Sequence, residues 1–187
     1  MLPESYPHKY VKDVMVGVMP FRFRPISTDD DEMMIRMYST FSKETIFHRF
    51  FTSYIMPPSR VRRFTNIDYK YKMAFAAEEE IDGERRFAGI ARYAADRCDE
   101  GTAEMAIVIG DPWQGKGIGT ALLNHLFNVA EAEGFRLLYG LVHFDNAAVP
   151  RIFEKLKQPH RAVNTGMELR YEVMLSPQGP TPPIIRT

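Results

Sequence analysis

The sequence predicts an α+β domain built on a mixed, mostly antiparallel sheet. Three observations carry that prediction. Short strands follow one another in the first hundred residues, two of them joined at an Asp82-Gly83 turn. One strand–helix–strand unit sits in the middle, running from TAEMAIVIG through a long amphipathic helix to FRLLYGLVHF. With 187 residues, 45% of them hydrophobic, the chain is large and apolar enough for one buried core.

The elements follow in order. Residues 1–9 read as an irregular lead-in, 10–175 as a single domain and 176–187 as a tail. YVKDVMV and VMPFRFRPI are two short strands around Gly17, with Phe21 and Phe23 alternating against Arg22 and Arg24. STDDDEMMIRMYSTF starts a helix, because Ser27 or Thr28 can accept a free backbone N–H and the acids face the positive helix end. SKETIFHRFFTSY is a second helix capped by Ser42, and PPSRVRRFTNI a third with Pro in its first turn. YKMAFAAEEE and RRFAGIARYAA flank the Asp-Gly turn, a strong hairpin signal. TAEMAIVIG follows, stopped by Asp111-Pro112. Gly117 to Glu133 carries the clearest helical stripe (Ile118, Leu122, Leu123, Leu126, Phe127, Ala130), and Gly134 closes it. FRLLYGLVHF is apolar almost throughout, as for a strand buried on both faces. A short helix ending near Leu156 and the strand MELRYEVML complete the domain. SPQGPTPPIIRT is Pro-rich and irregular.

Composition removes several function classes. Lys and Arg total 24 and Asp and Glu 24, so nucleic acid or an anionic membrane is not expected as the main partner. No apolar run reaches the roughly 18–20 residues of a membrane span. MLPESYPHKYVKD has no apolar signal core, which makes a cytoplasmic location the expectation. The single cysteine, Cys98 in RCDE, allows no internal disulfide and has no base beside it. The five histidines never fall at HxxxH spacing, so no metal site is expected.

The sharpest feature is DPWQGKGIGTALL, from Asp111 to Leu123, where glycines recur at 115, 117 and 119 as the long helix begins. The first N–H groups of a helix lack internal partners and carry partial positive charge, and glycine lets a bulky anion come close. The stretch therefore reads as a phosphate-sized anion site. A mere strand-to-helix turn would not need three glycines and Gln114. It is not a P-loop, since Gly117 stands where Ser or Thr should follow Gly-Lys. It is not the dinucleotide fingerprint either, because the spacing is GxGxG with no second parallel unit behind it. The pattern is Gln114-x-x-Gly117-x-Gly119. Preceded by a strand, followed by a helix, then by LLYGLVHF and Asn146, it resembles the acetyl-CoA pyrophosphate loop of the GNAT acetyltransferases. From about Tyr6 to Leu156 the chain is also similar to the acetyltransferase domain of Pat-type bacterial protein lysine acetyltransferases. That domain is often fused to a nucleotide-binding or acyl-CoA synthetase-like domain, so a free-standing acetyltransferase is the expectation here.

The resemblance implies a GNAT fold, acetyl-CoA as co-substrate, no metal, and acetyl transfer to a primary amine by direct attack in a ternary complex. The acceptor is a protein lysine or a small amine, and some relatives pair as homodimers. A lysine-like amine, of pKa near ~10.4, must lose a proton, and the carbonyl oxygen must be stabilised as it gains charge. Glu104 matches the family's base, with desolvation in an apolar strand expected to raise its pKa. The alternative is an exposed strand glutamate, or one paired with an arginine of a neighbouring strand. Glu78, Glu79 and Glu80 read as a solvated strand end. The backbone N–H of Val108 or its neighbour Ile109 matches the oxyanion donor. The backbone of Gln114, Gly115, Lys116, Gly117, Ile118 and Gly119, with the Thr120 hydroxyl, matches the pyrophosphate cradle. Asn146 either contacts the cofactor arm or caps the short helix. Pro150 argues for a start near itself that leaves Asn146 free. The family's tyrosine acid on this last helix is missing, since PRIFEKL offers Phe153. Either the thiolate, whose conjugate acid has a pKa of about 8.5, leaves unassisted, or Tyr139 or Tyr171 serves. KQPHRAVNTG replaces the family's Gly-Phe, which points to a rebuilt acceptor side. IFHRFF (Ile46 to Phe51) either lines an acceptor groove or simply packs by its apolar face. Arg60, Arg62 and Arg63 either touch a 3′-phosphate or an acidic protein partner, or are plain surface. A reading from another class stays open, a non-catalytic acetyl-CoA-binding module.

Overall fold

The computed structural model describes residues 2–52 and 57–183, apart from the side chains of Pro58 and Arg62. The end of SKETIFHRFFTSY and the last residues of the tail lie outside the described residues. Eight strands form one sheet: β1 (Lys12–Val16), β2 (Met19–Pro25), β3 (Lys72–Ile81), β4 (Glu84–Ala95), β5 (Thr102–Ile109), β6 (Leu137–Val142), β7 (His160–Asn164) and β8 (Leu169–Met174). Their spatial order is β1-β2-β3-β4-β5-β6-β8-β7. Every pair is antiparallel except β5–β6, which the crossover helix makes parallel. Five helices join them: α1 (Asp31–Tyr38), α2 (Lys43–Phe50), α3 (Pro58–Thr65), α4 (Ile118–Ala132) and α5 (Ala148–Phe153). Among the described residues no helix is long and apolar enough to cross a membrane.

The local causes are those the sequence suggests. Ser27 and Asp30 form a capping box, the Ser27 side chain accepting from the Asp29 N–H and the Asp30 carboxylate accepting from the Ser27 N–H at 2.7 Å. The Ser42 hydroxyl accepts the Thr45 N–H at 3.1 Å. In β4 alternate residues separate two layers. Ala91 and Tyr93 share a face with Phe75 and look toward α4, where His125 meets the Phe75 ring at 4.6 Å. Ile90 and Arg92 look toward α1, α2 and α3. Phe23, Phe75, Phe87, Tyr93, Phe127 and Phe135 are fully buried between these layers.

Five details differ from expectation. Residues 1–9 are not a loose lead-in throughout: Tyr6 is buried, its hydroxyl donates to the Pro25 carbonyl at 2.9 Å, and a 3₁₀ turn starts at His8. The Pro-rich tail is irregular, yet the Gln178 N–H donates to the Glu131 carbonyl at 2.8 Å, holding it against the end of α4. β6 is not buried on both faces, since Leu141 is exposed and Leu137 and Tyr139 half-buried. β7 is an extra, wholly exposed edge strand, paired only with β8. Glu78 is not solvated: it is buried and receives Arg24 Nε at 2.7 Å, while Arg24 also grips Asp30 with two bonds of 2.8 Å. Burial works against the Arg24 charge, but these two carboxylates more than offset it and hold its pKa above the ordinary arginine value.

Candidate active site

The strand β5 ends where the loop 110–117 begins. Gly115 (φ 73°) and Gly117 (φ 87°) are both left-handed, a conformation that L side chains rarely adopt. A Cβ at Gly115 would meet nothing within 4 Å, and one at Gly117 only Val16 at 3.6 Å, so both face open space. Gly117 is the N-cap of α4 and offers no side-chain oxygen to the first turn. The first helical bond runs from the Ala121 N–H to the Gly117 carbonyl, so the N–H groups of Ile118, Gly119 and Thr120 remain for an outside acceptor. Ile118 and Gly119 are buried, Thr120 half-buried and Lys116 exposed. At Gly119 a Cβ would press on Ile152 at 3.2 Å, so this glycine serves close packing of α5 on α4. Gln114 does more than lend backbone. Its Nε2 donates to the Ile109 carbonyl at 3.1 Å and to Thr45 Oγ1 at 3.1 Å. Thr45 in turn donates to Asp111 at 2.8 Å, which ties the loop to the start of α2.

β5 and β6 pair only at Thr102–Leu137, Ala103–Leu138 and Glu104–Tyr139, and beyond Glu104 they diverge. The register on the other side fixes which main-chain groups face the resulting gap. Bonds from the Asp96 N–H to Thr102 O (2.8 Å) and from the Gly110 N–H to Ala88 O (2.9 Å) bracket an unbroken β4–β5 ladder. Antiparallel pairs alternate, so Glu104, Ala106 and Val108 turn their main-chain groups to β4, while Ile107 and Ile109 turn theirs to the gap. This corrects the assignment of a free N–H to Val108: that strand position belongs to the ladder opposite Ile90, and the Val108 side chain is buried. Ile109, its neighbour, is open to the gap, and Ile107 joins it. Only strand parity could have shown this.

Glu104 is exposed rather than desolvated, contrary to what its apolar strand suggested. Among the described residues no arginine is ion-paired with it. In register beside it stands Tyr139, whose hydroxyl donates to Asp96 at 2.9 Å and whose ring lies 3.7 Å from the Arg170 guanidinium. Burial, then the Asp96 carboxylate, push the Tyr139 pKa up to about 12. Tyr171 pairs with Gly140, so it looks to the opposite face from Glu104, and its ring stacks on Phe153 at 4.2 Å. Asn146 is engaged as a cap: its Oδ1 accepts from the Ala148 N–H (3.1 Å) and the Val149 N–H (3.3 Å). α5 therefore starts before Pro150, whose missing N–H falls in the first turn, where none is needed. His48, from IFHRFF, bonds Asp145 at 2.8 Å, an acid it shares with His143. Arg49 instead turns into a pocket with Tyr38, Phe64, Arg92 and Val108. Arg63 is exposed, and the Arg62 side chain lies outside the described residues. Cys98 is exposed, and its backbone N–H donates to Asp96 at 2.8 Å. No group of three or more His, Cys, Asp or Glu stands ready for a metal among the described residues.

A helix N-terminus with a glycine cradle opens here beside two diverged strands and an acidic side chain, an arrangement that fits an acyl-CoA-dependent N-acyltransferase. The match is direct: residues 36–157 fit the acetyltransferase (GNAT) family, and the chain belongs to that family. It is 37% identical over 127 residues to acetyltransferase PA5475 of Pseudomonas aeruginosa, which covers 67% of this chain and 68% of that protein. It is 28% identical over 138 residues to acetyltransferase Pat of Mycolicibacterium smegmatis, covering 73% of this chain but only 40% of that longer protein. The solved GNAT domain of S. lividans PAT superposes with a TM-score of 0.81 at 28% identity, covering 91% of this chain and 100% of that one. The fold is thus the expected GNAT fold, and the chain is an acetyl-CoA-dependent N-acetyltransferase.

Proposed function

We propose that the protein transfers acetyl from acetyl-CoA to a primary amine of a protein lysine, by direct attack in a ternary complex. The observation that carries this is the gap between β5 and β6, with the α4 N-terminus at one end and Glu104 at the other. The residues fit acetyl-CoA. Open glycines at 115 and 117 and the free N–H groups of Ile118, Gly119 and Thr120 would hold the pyrophosphate, with Lys116 adding charge. The gap-facing main chain of Ile107 and Ile109 would hold the pantetheine arm. Bound acetyl-CoA supplies the thioester carbonyl that the amine attacks. Glu104 takes the ammonium proton on a carboxylate oxygen, directly or through one water; its exposure suits relay through water. One of the two gap-facing N–H groups, that of Ile107 or that of Ile109, donates to the carbonyl oxygen as it gains charge, since about 7 Å of strand separates them. Tyr139 keeps its proton at neutral pH but already spends it on Asp96, and Tyr171 faces away. The thiolate, of low basicity, therefore leaves without a side-chain acid.

Likeness to the Pat domains supports the lysine acceptor. A second reading, a small amine acceptor, is favoured by the narrow pocket on the Glu104 face, mostly apolar but entered by Arg49 and Arg92. The deciding experiment is acetylation of lysine peptides and of small amines at equal concentration, followed by free-thiol release. Peptide turnover at least tenfold above every small amine is expected; the reverse order moves the assignment to the small amine.

A further inference from the structure

Two arginines meet on the sheet face that carries Glu104, at the pocket between that face and α1, α2 and α3. Arg49 comes from α2 and Arg92 from β4, and Tyr38, Phe64 and Val108 close the walls. Both side chains are half-buried. Among the described residues neither forms an ion pair, whereas the other half-buried arginines do: Arg24 binds Asp30 and Glu78, and Arg170 binds Glu172 at 2.8 Å. Arg49 instead lies 5.0 Å from the Phe50 ring centre and Arg92 5.2 Å from that of Phe64. Ring faces satisfy a guanidinium only in part and leave its N–H fork free for an anion. Two such cations side by side repel, and each half-buried charge lacks the partner that ordinarily accompanies it. Glu104 is the acid whose field reaches both. It stands one side-chain repeat along β5 from Ala106, the residue opposite Arg92, or about 7 Å by strand rise. The pocket itself has room for about one water-sized group, about 10 Å³, so a bound group would reach it from the open side.

From this juxtaposition we infer that Arg49 and Arg92 bind a carboxylate carried by the acceptor, so that the acceptor is an amine with an acid group a short distance from its nitrogen. The inference rests on Glu104 as the base, since that role keeps Glu104 from serving as the arginines' permanent partner. A planar carboxylate matches the guanidinium fork, and anchoring it in the pocket would bring the amine toward Glu104 and the gap. A free amino acid and a lysine flanked by acidic residues share this chemistry.

The test compares acids with their neutral twins. One arm uses glycine, β-alanine, 4-aminobutyrate and 5-aminopentanoate against their amides. The other uses lysine peptides flanked by aspartate against the same peptides with asparagine. Wild type, Arg49→Gln, Arg92→Gln and Arg92→Lys are assayed by thiol release, with acetyl-CoA affinity measured by calorimetry as a folding control. The expected result is a preference for the acid of at least ~10-fold in kcat/KM, carried by KM. It is lost in both glutamine variants, partly kept in Arg92→Lys, and accompanied by unchanged acetyl-CoA binding. The arm that responds names the source of the carboxylate. Equal use of acids and amides, with turnover still dependent on Glu104, overturns the inference and leaves acetyl transfer standing. If no acceptor turns over, the four amino acids are titrated calorimetrically into the CoA-loaded protein. Binding that disappears in Arg92→Gln then supports the carboxylate site. Equal heats in wild type and Arg92→Gln overturn it.

Discussion

Arg24 of β2 and the Arg49–Arg92 pair, drawn from α2 and β4, meet opposite fates. Arg24 is enclosed by Asp30 and Glu78, and those carboxylates raise its pKa despite burial. For Arg49 and Arg92 burial dominates, and both pKa values fall below the ordinary arginine value. The first arrangement is a closed structural network joining β2, β3 and the start of α1. The second is a charge demand that the described residues leave open, beside Glu104, the proposed base. A buried cation complete with its counter-charges reports on stability. One without them reports on a ligand.

The comparison can be broken most forcefully at Arg24. Arg24→Met strands two buried carboxylates and should lower stability by about 3–5 kcal/mol. Denaturant melting checks this, and a loss under about 1 kcal/mol would remove the contrast. Glu104→Gln should cost a comparable free energy on the other side of the ledger, roughly 10²–10⁴ in turnover, with acetyl-CoA affinity kept. Gly117→Val should weaken acetyl-CoA binding by roughly 10–100-fold in calorimetry, because a β-branched residue is strained at φ 87° and intrudes on the cradle. Tyr139→Phe should change turnover by less than about 3-fold, since its hydroxyl serves Asp96 and not the leaving group. A larger loss would restore it as the acid. The smallest effect sharpens the contrast best. Arg92→Gln should melt within about 1 kcal/mol of wild type, because the charge it removes has no protein partner to strand.

The two halves of the site differ in how they are encoded, and so in how far the sequence discloses them. The pyrophosphate cradle is local. Gln114, Gly115, Gly117 and Gly119 are close neighbours in the chain, and a helix N-terminus needs only backbone to hold an anion. The glycine loop at the helix start could be read directly, and so could the crossover that makes the single parallel pair. The strand that carries Glu104 was legible but its exposure was not, because exposure depends on how β5 and β6 diverge. The difference between Val108 and Ile109 is one of strand parity, which needs the β4 register. Asn146 depends on a single turn of helix, because Pro150 suggests a boundary yet sits comfortably in the first turn of α5. β7, HRAVN, has no alternation to announce it and exists because β8 offers an edge. Arg49 and Arg92 lie in a helix and a strand far apart in sequence, and nothing local distinguishes them from the arginines that pair.

The central claim is that Glu104 is the base of an acetyl transfer performed in the β5–β6 gap. The most direct measurement is free-thiol release from acetyl-CoA by wild type and Glu104→Gln, with the acceptor panel present and acetyl-CoA affinity measured on both. Turnover that falls at least ~10²-fold in the variant, with affinity unchanged, is the expected result. Equal turnover in the two proteins would contradict the claim and remove Glu104 from the chemistry.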